Sequence, residues 1–131
     1  MANITNNKKI LIVDDDKFLL DMYSIKFSEH GFTVDTALSA DEALAKFEAG
    51  FQPAIFLVDL IMPGMDGFQL IEKLKEKGAA KSAAIVILSN LGQKEDIEKG
   101  LGLGADGYII KASATPSEVV AKVTEIAEHH D

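Results

Sequence analysis

The chain contains no cysteine and no arginine among its 131 residues. The absence of cysteine excludes a disulfide scaffold, a thiolate zinc site and a cysteine nucleophile. All 13 basic residues are lysines and 21 residues are acidic, so the formal net charge is −8. Because phosphate neutralisation needs a basic surface patch, this composition argues against direct binding of nucleic acid or of an anionic membrane.

Long apolar stretches are also absent. Polar and charged residues at 6–9 interrupt the N-terminal segment, so we expect no signal peptide, and no run is long enough to span a bilayer. A cytoplasmic location is therefore expected. The length and the 47% hydrophobic content predict one domain with its own core. The expected organisation is a flexible leader at 1–8, a single domain at 9–128 and a frayed tail at 129–131.

Short apolar runs alternate with helical patterns five times. The runs lie at 10–13, 32–34, 54–58, 84–88 and 108–110. Three of them are apolar at almost every position, which is typical of parallel strands covered by helices on both faces. Five such units with right-handed crossovers predict an open, doubly wound α/β sandwich.

The helical patterns carry start and stop signals. Helices are predicted at about 17–30, from a capping box at 39–42 to Gly50, at 66–77, at 93–103, and from a capping box that begins at Thr115. The fourth helix has only Ile97 and Leu101 as apolar anchors and several glycines, so we expect it to be the least stable.

Chemically active side chains follow four of the predicted strands. They are Asp14, Asp15 and Asp16 after the first strand, Asp59 after the third, Ser89 at the end of the fourth and Lys111 after the fifth. Because function in such sheets gathers beyond the carboxyl ends of the strands, we expect these groups at one rim. For Asp16, capping of the following helix is the simpler interpretation.

The charges of this rim indicate a cation. Asp14, Asp15 and Asp59 would carry three negative charges at short range, which protonation or a cation must relieve. Hard carboxylate oxygens without cysteine or histidine nearby favour Mg²⁺ over Zn²⁺. Mg²⁺ and Lys111 together restore the balance. Since Mg²⁺ commonly takes phosphate oxygens as further ligands, the set predicts a phosphoryl site with Ser89 and Lys111 as donors.

Two other motifs are weaker. The segment 100–105 matches the dinucleotide pattern G-x-G-x-x-A, but it closes a helix and precedes a strand, so helix termination explains it better. The pair Asp14 and Asp16 is similar to the motif of haloacid-dehalogenase-type phosphatases. However, the residues after Asp16 do not supply the small hydroxylated residue that this family needs.

Four segments, in order and at matching separations, resemble the receiver domain of two-component response regulators, the CheY-like family. They are ILIVDDD at 10–16, LVDLIMPGMDG at 57–67, IVILSN at 85–90 and GADGYIIK at 104–111. The resemblance covers about residues 9–128. It implies a flavodoxin-like fold: a doubly wound five-stranded parallel sheet with strand order 2-1-3-4-5 and five helices.

The resemblance also implies a metal and phosphoryl chemistry. Asp59 would accept a phosphoryl group from a phosphohistidine of a sensor histidine kinase or a histidine phosphotransferase. Asp15, Asp59 and the carbonyl of Ile61 would bind Mg²⁺ directly, and Asp14 would act mainly through a metal-bound water. Such a domain catalyses its own modification and its loss, and we do not classify it as an enzyme.

The remaining implied roles concern the switch. Ser89 and Lys111 would each bind a phosphoryl oxygen. Tyr108 would be the switch aromatic, moving inward as Ser89 is drawn to the phosphoryl group. The fourth helix, fifth strand and fifth helix would then change arrangement and control a downstream effector protein.

The sequence departs from the family at four positions. Ala112 stands where a proline in a cis peptide is usual, and a cis bond to alanine would cost about 3–4 kcal/mol, which disfavours the cis form but leaves the geometry open. Asn90 replaces a smaller residue and would crowd the site. Ile61 and Leu91 replace polar side chains, would shield an acyl phosphate from water, and so predict slow self-dephosphorylation.

Several alternatives stay open. A pseudo-receiver would keep the fold as a phosphorylation-independent interaction module, whereas a metal-dependent phosphatase acting on other molecules lacks a recognisable substrate pocket and general acid. The chain is expected to be either free-standing or part of a longer regulator.

In the first helix, residues 20, 23 and 27 fit the core. A second apolar stripe at 18, 22 and 25 either docks a kinase or phosphotransferase helix or widens the buried face.

Overall fold

A computed structural model describes residues 8–130, so the predicted leader, except Lys8, and the last residue of the predicted tail lie outside the described residues. Strands and helices alternate along the chain. They are β1 Lys9–Val13, α1 Lys17–Glu29, β2 Thr33–Ala37, α2 Ala40–Glu48, β3 Ile55–Val58, α3 Gly67–Glu76, β4 Ala84–Ser89, α4 Lys94–Gly102, β5 Gly107–Ile110 and α5 Pro116–Glu128. Short 3-10 turns at Ala79–Lys81 and Lys111–Ser113 precede β4 and α5.

The five strands form one parallel sheet in the order β2-β1-β3-β4-β5, which confirms the predicted topology. Val13 pairs with both Ala37 and Val58, and Val58 pairs with Ile87. This register aligns the carboxyl ends of the strands. The side chains that follow β1, β3 and β5 are therefore placed at a common edge.

Each face of the sheet has its own core, and β1 contributes to both. Leu11 and Val13 point to the side covered by α2 and α3, whereas Ile10 and Ile12 point to the side covered by α1 and α5. Since successive strand residues face opposite sides, a strand covered on both faces must be apolar throughout. This is why the central strands appear in the sequence as continuous apolar runs.

The helix caps mostly follow the sequence signals. Asp16 accepts the Leu19 N–H, as expected for the cap of α1, and the capping boxes at the starts of α3 and α5 are complete. The box predicted for α2 is wrong in one half. Ser39 accepts the Glu42 N–H, but the Glu42 carboxylate bonds the Leu38 N–H instead of that of Ser39.

Two further sequence expectations need correction. β2 covers Thr33–Ala37 and not 32–34, because an edge strand tolerates half-buried polar residues that break an apolar run. Leu101 does not anchor α4, since its side chain is 45% exposed. Gly100 is buried instead, and a Cβ there would lie 2.5 Å from Ile87 Cδ1, so the glycine lets α4 rest directly on the sheet.

All peptide bonds within 8–130 are trans, including the one between Lys111 and Ala112, whose geometry the sequence leaves open. In the same part of the chain, every helix is too short or too polar to cross a membrane.

Replacement of Phe27 by alanine should destabilise the domain by about 3–5 kcal/mol, because its ring is fully buried in α1 and packs edge-on against Phe32. The matched control is Phe18→Ala in the same helix, where the ring is 76% exposed and little change is expected. Urea unfolding monitored by circular dichroism measures both. Equal losses from the two variants would contradict the described packing of α1.

Candidate functional site

Two buried aspartates are held at the carboxyl edge by the strands next to them. Asp14 follows β1, and its N–H donates to the Ala37 carbonyl at 3.1 Å. Asp59 follows β3, and its N–H donates to the Val13 carbonyl at 2.9 Å. These bonds continue the sheet by one residue past each strand. The two carboxylates are thereby fixed side by side, although both are almost inaccessible to water.

Asp15 completes a cluster of three carboxylates. One oxygen each from Asp14, Asp15 and Asp59 lies within 4.8 Å of the others, with Asp15 exposed and the other two buried. The Asp16 N–H donates to Asp14 Oδ1 at 2.9 Å, and the Leu60 N–H donates to Asp59 Oδ1 at 2.8 Å. The cluster thus offers several hard oxygen ligands and could hold a metal ion.

Lys111 joins the cluster from β5. Its Nζ lies 2.7 Å from Asp14 Oδ2 and 3.5 Å from Asp59 Oδ2, and its side chain is only 11% exposed. One ammonium against three carboxylates leaves two negative charges without a partner. The site as described is therefore suited to a divalent cation, whose charge would restore neutrality.

Burial and the neighbouring charges shift the pKa values of both Asp59 and Lys111. Burial raises the pKa of Asp59, Lys111 lowers it, Asp14 raises it again, and the backbone N–H groups of Ile61 and Leu60 lower it; the net result is a raised pKa. For Lys111, burial lowers the pKa, but the hydrogen bond and charge of Asp14 and the charge of Asp59 raise it further, so the net pKa is raised. The ammonium therefore stays charged.

Gly67 brings α3 close to the Asp59 backbone. A Cβ on this glycine would lie 2.3 Å from the Asp59 carbonyl oxygen, and the Gly67 N–H donates to the Leu60 carbonyl at 3.0 Å. Any larger residue would have to push the loop that carries Asp59. Position 67 therefore requires glycine because a side chain would not fit there. The preceding Asp66 caps the N-terminus of α3.

Ser89 and Tyr108 are connected through the backbone of Leu91. The fully buried Ser89 hydroxyl accepts the Leu91 N–H at 3.3 Å, and the Tyr108 hydroxyl donates to the Leu91 carbonyl. Burial raises the pKa of Tyr108, and the charges of Asp96 and Asp59 raise it further. The link through Leu91 is not apparent from sequence, because Leu91 takes part only with its main-chain N–H and carbonyl.

Ile61 follows Asp59 by two residues and is 58% exposed, and Leu91 is half-buried. The main-chain N–H of Ile61 donates a hydrogen bond to the Asp59 carboxylate, and that of Leu91 donates to the Ser89 hydroxyl.

A cleft of about 300 Å³ runs from Lys111 to α1. Its lining includes Leu19, Met22, Tyr23, Asn90 and Lys111. The sequence predicts Tyr23 only as a core residue, and its ring is indeed buried. Its pKa is raised by burial, lowered by Lys111 and raised by Asp14, so its phenol also belongs to the electrostatic surroundings of the site. A tyrosine among apolar core positions is the signal that could have indicated this.

The family comparison agrees with the geometry. The family described as "Response regulator receiver domain" matches residues 10–124. The chain therefore belongs to the response regulator receiver domains, a family of signalling domains.

Individual relatives share the domain over most of this chain. It is 35% identical over 120 residues to transcriptional regulatory protein ResD of Bacillus subtilis, covering 91% of this chain and 48% of ResD. It is 31% identical over 115 residues to the phosphate regulon transcriptional regulatory protein PhoB of Rhizobium meliloti, covering 88% of this chain and 50% of PhoB. The chain thus spans about half the length of these curated relatives.

A solved structure shows the same fold. The CheY-like response regulator receiver domain protein from Methanospirillum hungatei superposes with a TM-score of 0.84 at 32% identity, covering 94% of this chain and 95% of that one. The CheY-like fold expected from the sequence is thereby confirmed.

In the absence of metal, Asp59→Asn should increase the free energy of unfolding at neutral pH. A raised pKa means that the folded state binds the Asp59 proton more tightly than the unfolded state, so ionisation of this carboxyl opposes folding. The advantage of the variant should shrink as the pH falls through the raised pKa of Asp59 toward its ordinary value. Urea unfolding with a chelator, from acid to neutral pH, measures the difference.

The matched control is Asp35→Asn on β2, for which the opposite sign is expected. Burial raises the pKa of Asp35, but the hydrogen bonds from Lys46 and the Thr36 N–H and the Lys46 charge lower it more, so the net pKa is lowered. Ionised Asp35 therefore favours folding, and this contribution is lost as the pH falls through its lowered pKa. A stability change of the same sign in both variants would contradict the described electrostatics.

Proposed function

We propose that Asp59 accepts a phosphoryl group from the phosphohistidine of a sensor histidine kinase or a histidine phosphotransferase. The observation that carries this proposal is the Lys111 ammonium, which contacts both Asp14 and Asp59 beside a cluster of three carboxylates. Such an arrangement brings a carboxylate nucleophile, a fixed positive charge and ligands for a divalent cation to one place.

The proposed transfer uses each of these groups. An Asp59 carboxylate oxygen attacks phosphorus, an O–P bond forms, and the P–N bond to the donor imidazole breaks. The electron pair of that bond goes to the ring nitrogen, which takes up a proton from solvent. The product is an acyl phosphate on Asp59. Burial, which raises the pKa of Asp59, also makes its oxygen more basic and so a better nucleophile. Lys111 would pair with one of the phosphoryl oxygens.

The same residues fit Mg²⁺. Asp15, Asp59 and the carbonyl of Ile61 would hold the ion directly, with the buried Asp14 close by. Carboxylate and carbonyl oxygens are the ligands that this hard cation prefers. When bound, the ion would neutralise negative charge at the phosphoryl group.

The switch would begin at Ser89. Its hydroxyl accepts a bond from Leu91 and can donate its own hydrogen to a phosphoryl oxygen. Movement of Ser89 would shift the backbone of Leu91, whose carbonyl accepts the Tyr108 hydroxyl. Tyr108 lies on β5, and its ring lies 3.4 Å from the position that a Cβ on Gly100 of α4 would take. We propose that this chain of contacts passes the modification to the face formed by α4, β5 and α5, where an effector protein binds.

The kinase or phosphotransferase is proposed to dock on α1. Phe18 and Ile25 are 76% and 62% exposed, whereas Leu20, Tyr23 and Phe27 form the buried face. Two of the three residues of the second stripe, Phe18 and Ile25, thus lie on the surface, whereas Met22 packs partly against the core. Met22 is half-buried and lines the cleft that leads to Lys111. An apolar surface beside the acceptor suits a helix that presents a phosphohistidine.

We propose that the domain serves a longer regulator whose output is transcriptional. ResD and PhoB are named transcriptional regulatory proteins, and a transcriptional output in the cytoplasm is part of our proposal. The acidic composition of the present chain gives the domain itself no basic surface for nucleic acid. DNA contact would therefore fall to another part of such a regulator.

Incubation with a small phosphodonor and Mg²⁺ should add one phosphoryl group, detected by intact mass. The gain should be absent in Asp59→Ala and strongly reduced when the metal is chelated, since the acceptor charge is then uncompensated. Asp35→Ala serves as the matched control and should still be modified. A pseudo-receiver would gain no mass under any of these conditions, and that result would overturn the proposal.

The acyl phosphate should be long-lived, and Ile61→Asn combined with Leu91→Glu should shorten its lifetime by about tenfold or more. The polar side chains could orient an attacking water, a type of contribution worth about 10²-fold or more when geometry is good. Ile25→Asn on α1 is the control for an exposed isoleucine far from the rim. The decay of the phosphorylated mass after donor removal gives the lifetime, and an unchanged lifetime in the double variant contradicts the shielding role.

A further inference from the structure

Lys111 is carried by a short turn that has a weak internal bond. The 3-10 turn Lys111–Ser113 follows β5 directly, and its i to i+3 bond, from the Ala114 N–H to the Lys111 carbonyl, is long at 3.4 Å. A 3-10 turn of this length has poor hydrogen-bond geometry and little stability of its own. The position of the Lys111 backbone must therefore depend on contacts from outside the turn.

Asn90 supplies such a contact. Its side-chain Oδ1 accepts the Ala112 N–H at 2.9 Å, which is shorter than the bond within the turn. The two residues are 22 positions apart in sequence and lie in the loops that follow β4 and β5. The bond is possible because residue 112 is not a proline, which would have no N–H to donate.

This contact joins the two proposed phosphoryl-binding residues. Asn90 follows Ser89 immediately, and Ala112 follows Lys111 immediately. Ser89 pairs with Ile110 in the sheet, so the hydrogen bond extends the link between β4 and β5 beyond the last ladder pair. It fixes the distance between the loop of Ser89 and the turn of Lys111 at the carboxyl edge.

We propose that Asn90 is a positioning residue for phosphoryl transfer, which acts by holding the Ala112 N–H so that the Lys111 ammonium stays between Asp14 and Asp59. This inference rests on the proposed function. It differs from the crowding that the sequence alone predicts for Asn90. Crowding would make a smaller residue faster, whereas positioning makes any residue without an acceptor oxygen slower.

The test compares side chains at position 90 by their rate of phosphorylation with a small phosphodonor at saturating Mg²⁺. Asn90→Leu keeps the volume and removes the acceptor, and Asn90→Ala removes both. Each should slow the maximal rate by about three- to tenfold, the change expected from one lost hydrogen bond. Asn90→Asp keeps an acceptor oxygen and should retain a rate closer to that of the wild type.

Two readouts separate positioning from a general loss of stability. Amide hydrogen exchange at Ala112 should accelerate in Asn90→Leu and Asn90→Ala but not in Asn90→Asp. In a Lys111→Ala background, Asn90→Leu should cause no further slowing, because a residue that acts through Lys111 has no effect without it. Unfolding midpoints confirm that the variants are folded.

The outcomes distinguish this inference from the function on which it rests. If the wild type gains no phosphoryl group, both fall. If the wild type reacts and Asn90→Leu reacts equally fast, only the role of Asn90 is overturned. A faster Asn90→Ala would assign Asn90 to crowding. Equal slowing with and without Lys111 would show a structural effect independent of the lysine, and would likewise overturn the inference.

Discussion

The ammonium of Lys111 lies between the carboxylates of Asp14 and Asp59, and all three groups are largely removed from water. Placing three charges in a poorly solvated site is expensive, and the attraction among them offsets the cost only where the geometry is close. The fold provides that geometry by fixing Asp14 and Asp59 with backbone bonds to neighbouring strands. The parallel sheet thus acts mainly as a frame that holds charges at its carboxyl edge.

Incomplete compensation is what makes the arrangement useful. One ammonium faces three carboxylates, and the raised pKa of Asp59 shows that burial and the charge of Asp14 outweigh the help from Lys111 and the backbone N–H groups. A site in full balance would have no reason to take up a cation or to react. A divalent cation would relieve the excess here, and the proposed acyl phosphate would add charge beside groups able to bind it.

The sequence predicts those parts that depend on local pattern. The central strands, the glycine stops and the aspartates at strand ends follow from alternation and capping, and the register of a parallel sheet then brings Asp14, Asp59 and Lys111 together. The edge strand β2 is displaced in the prediction, because polar residues are tolerated where one side of a strand has no neighbour. Leu101 is misassigned for another reason: hydrophobicity does not reveal that the missing side chain of Gly100 sets the contact of α4 with the sheet.

Contacts between loops are beyond such patterns, and here they carry much of the specificity of the site. The bonds from Ala112 to Asn90 and from Tyr108 to the Leu91 carbonyl join segments that are distant in sequence, and each uses a main-chain group. Main-chain donors and acceptors are nearly the same at every position, so the residue type does not predict which of them form these hydrogen bonds. Two departures from the family, at 90 and 112, look independent in the sequence but form one hydrogen bond in the structure. Departures of this kind are therefore best interpreted as pairs, since a change that exposes an N–H is tolerated when a second change supplies its acceptor.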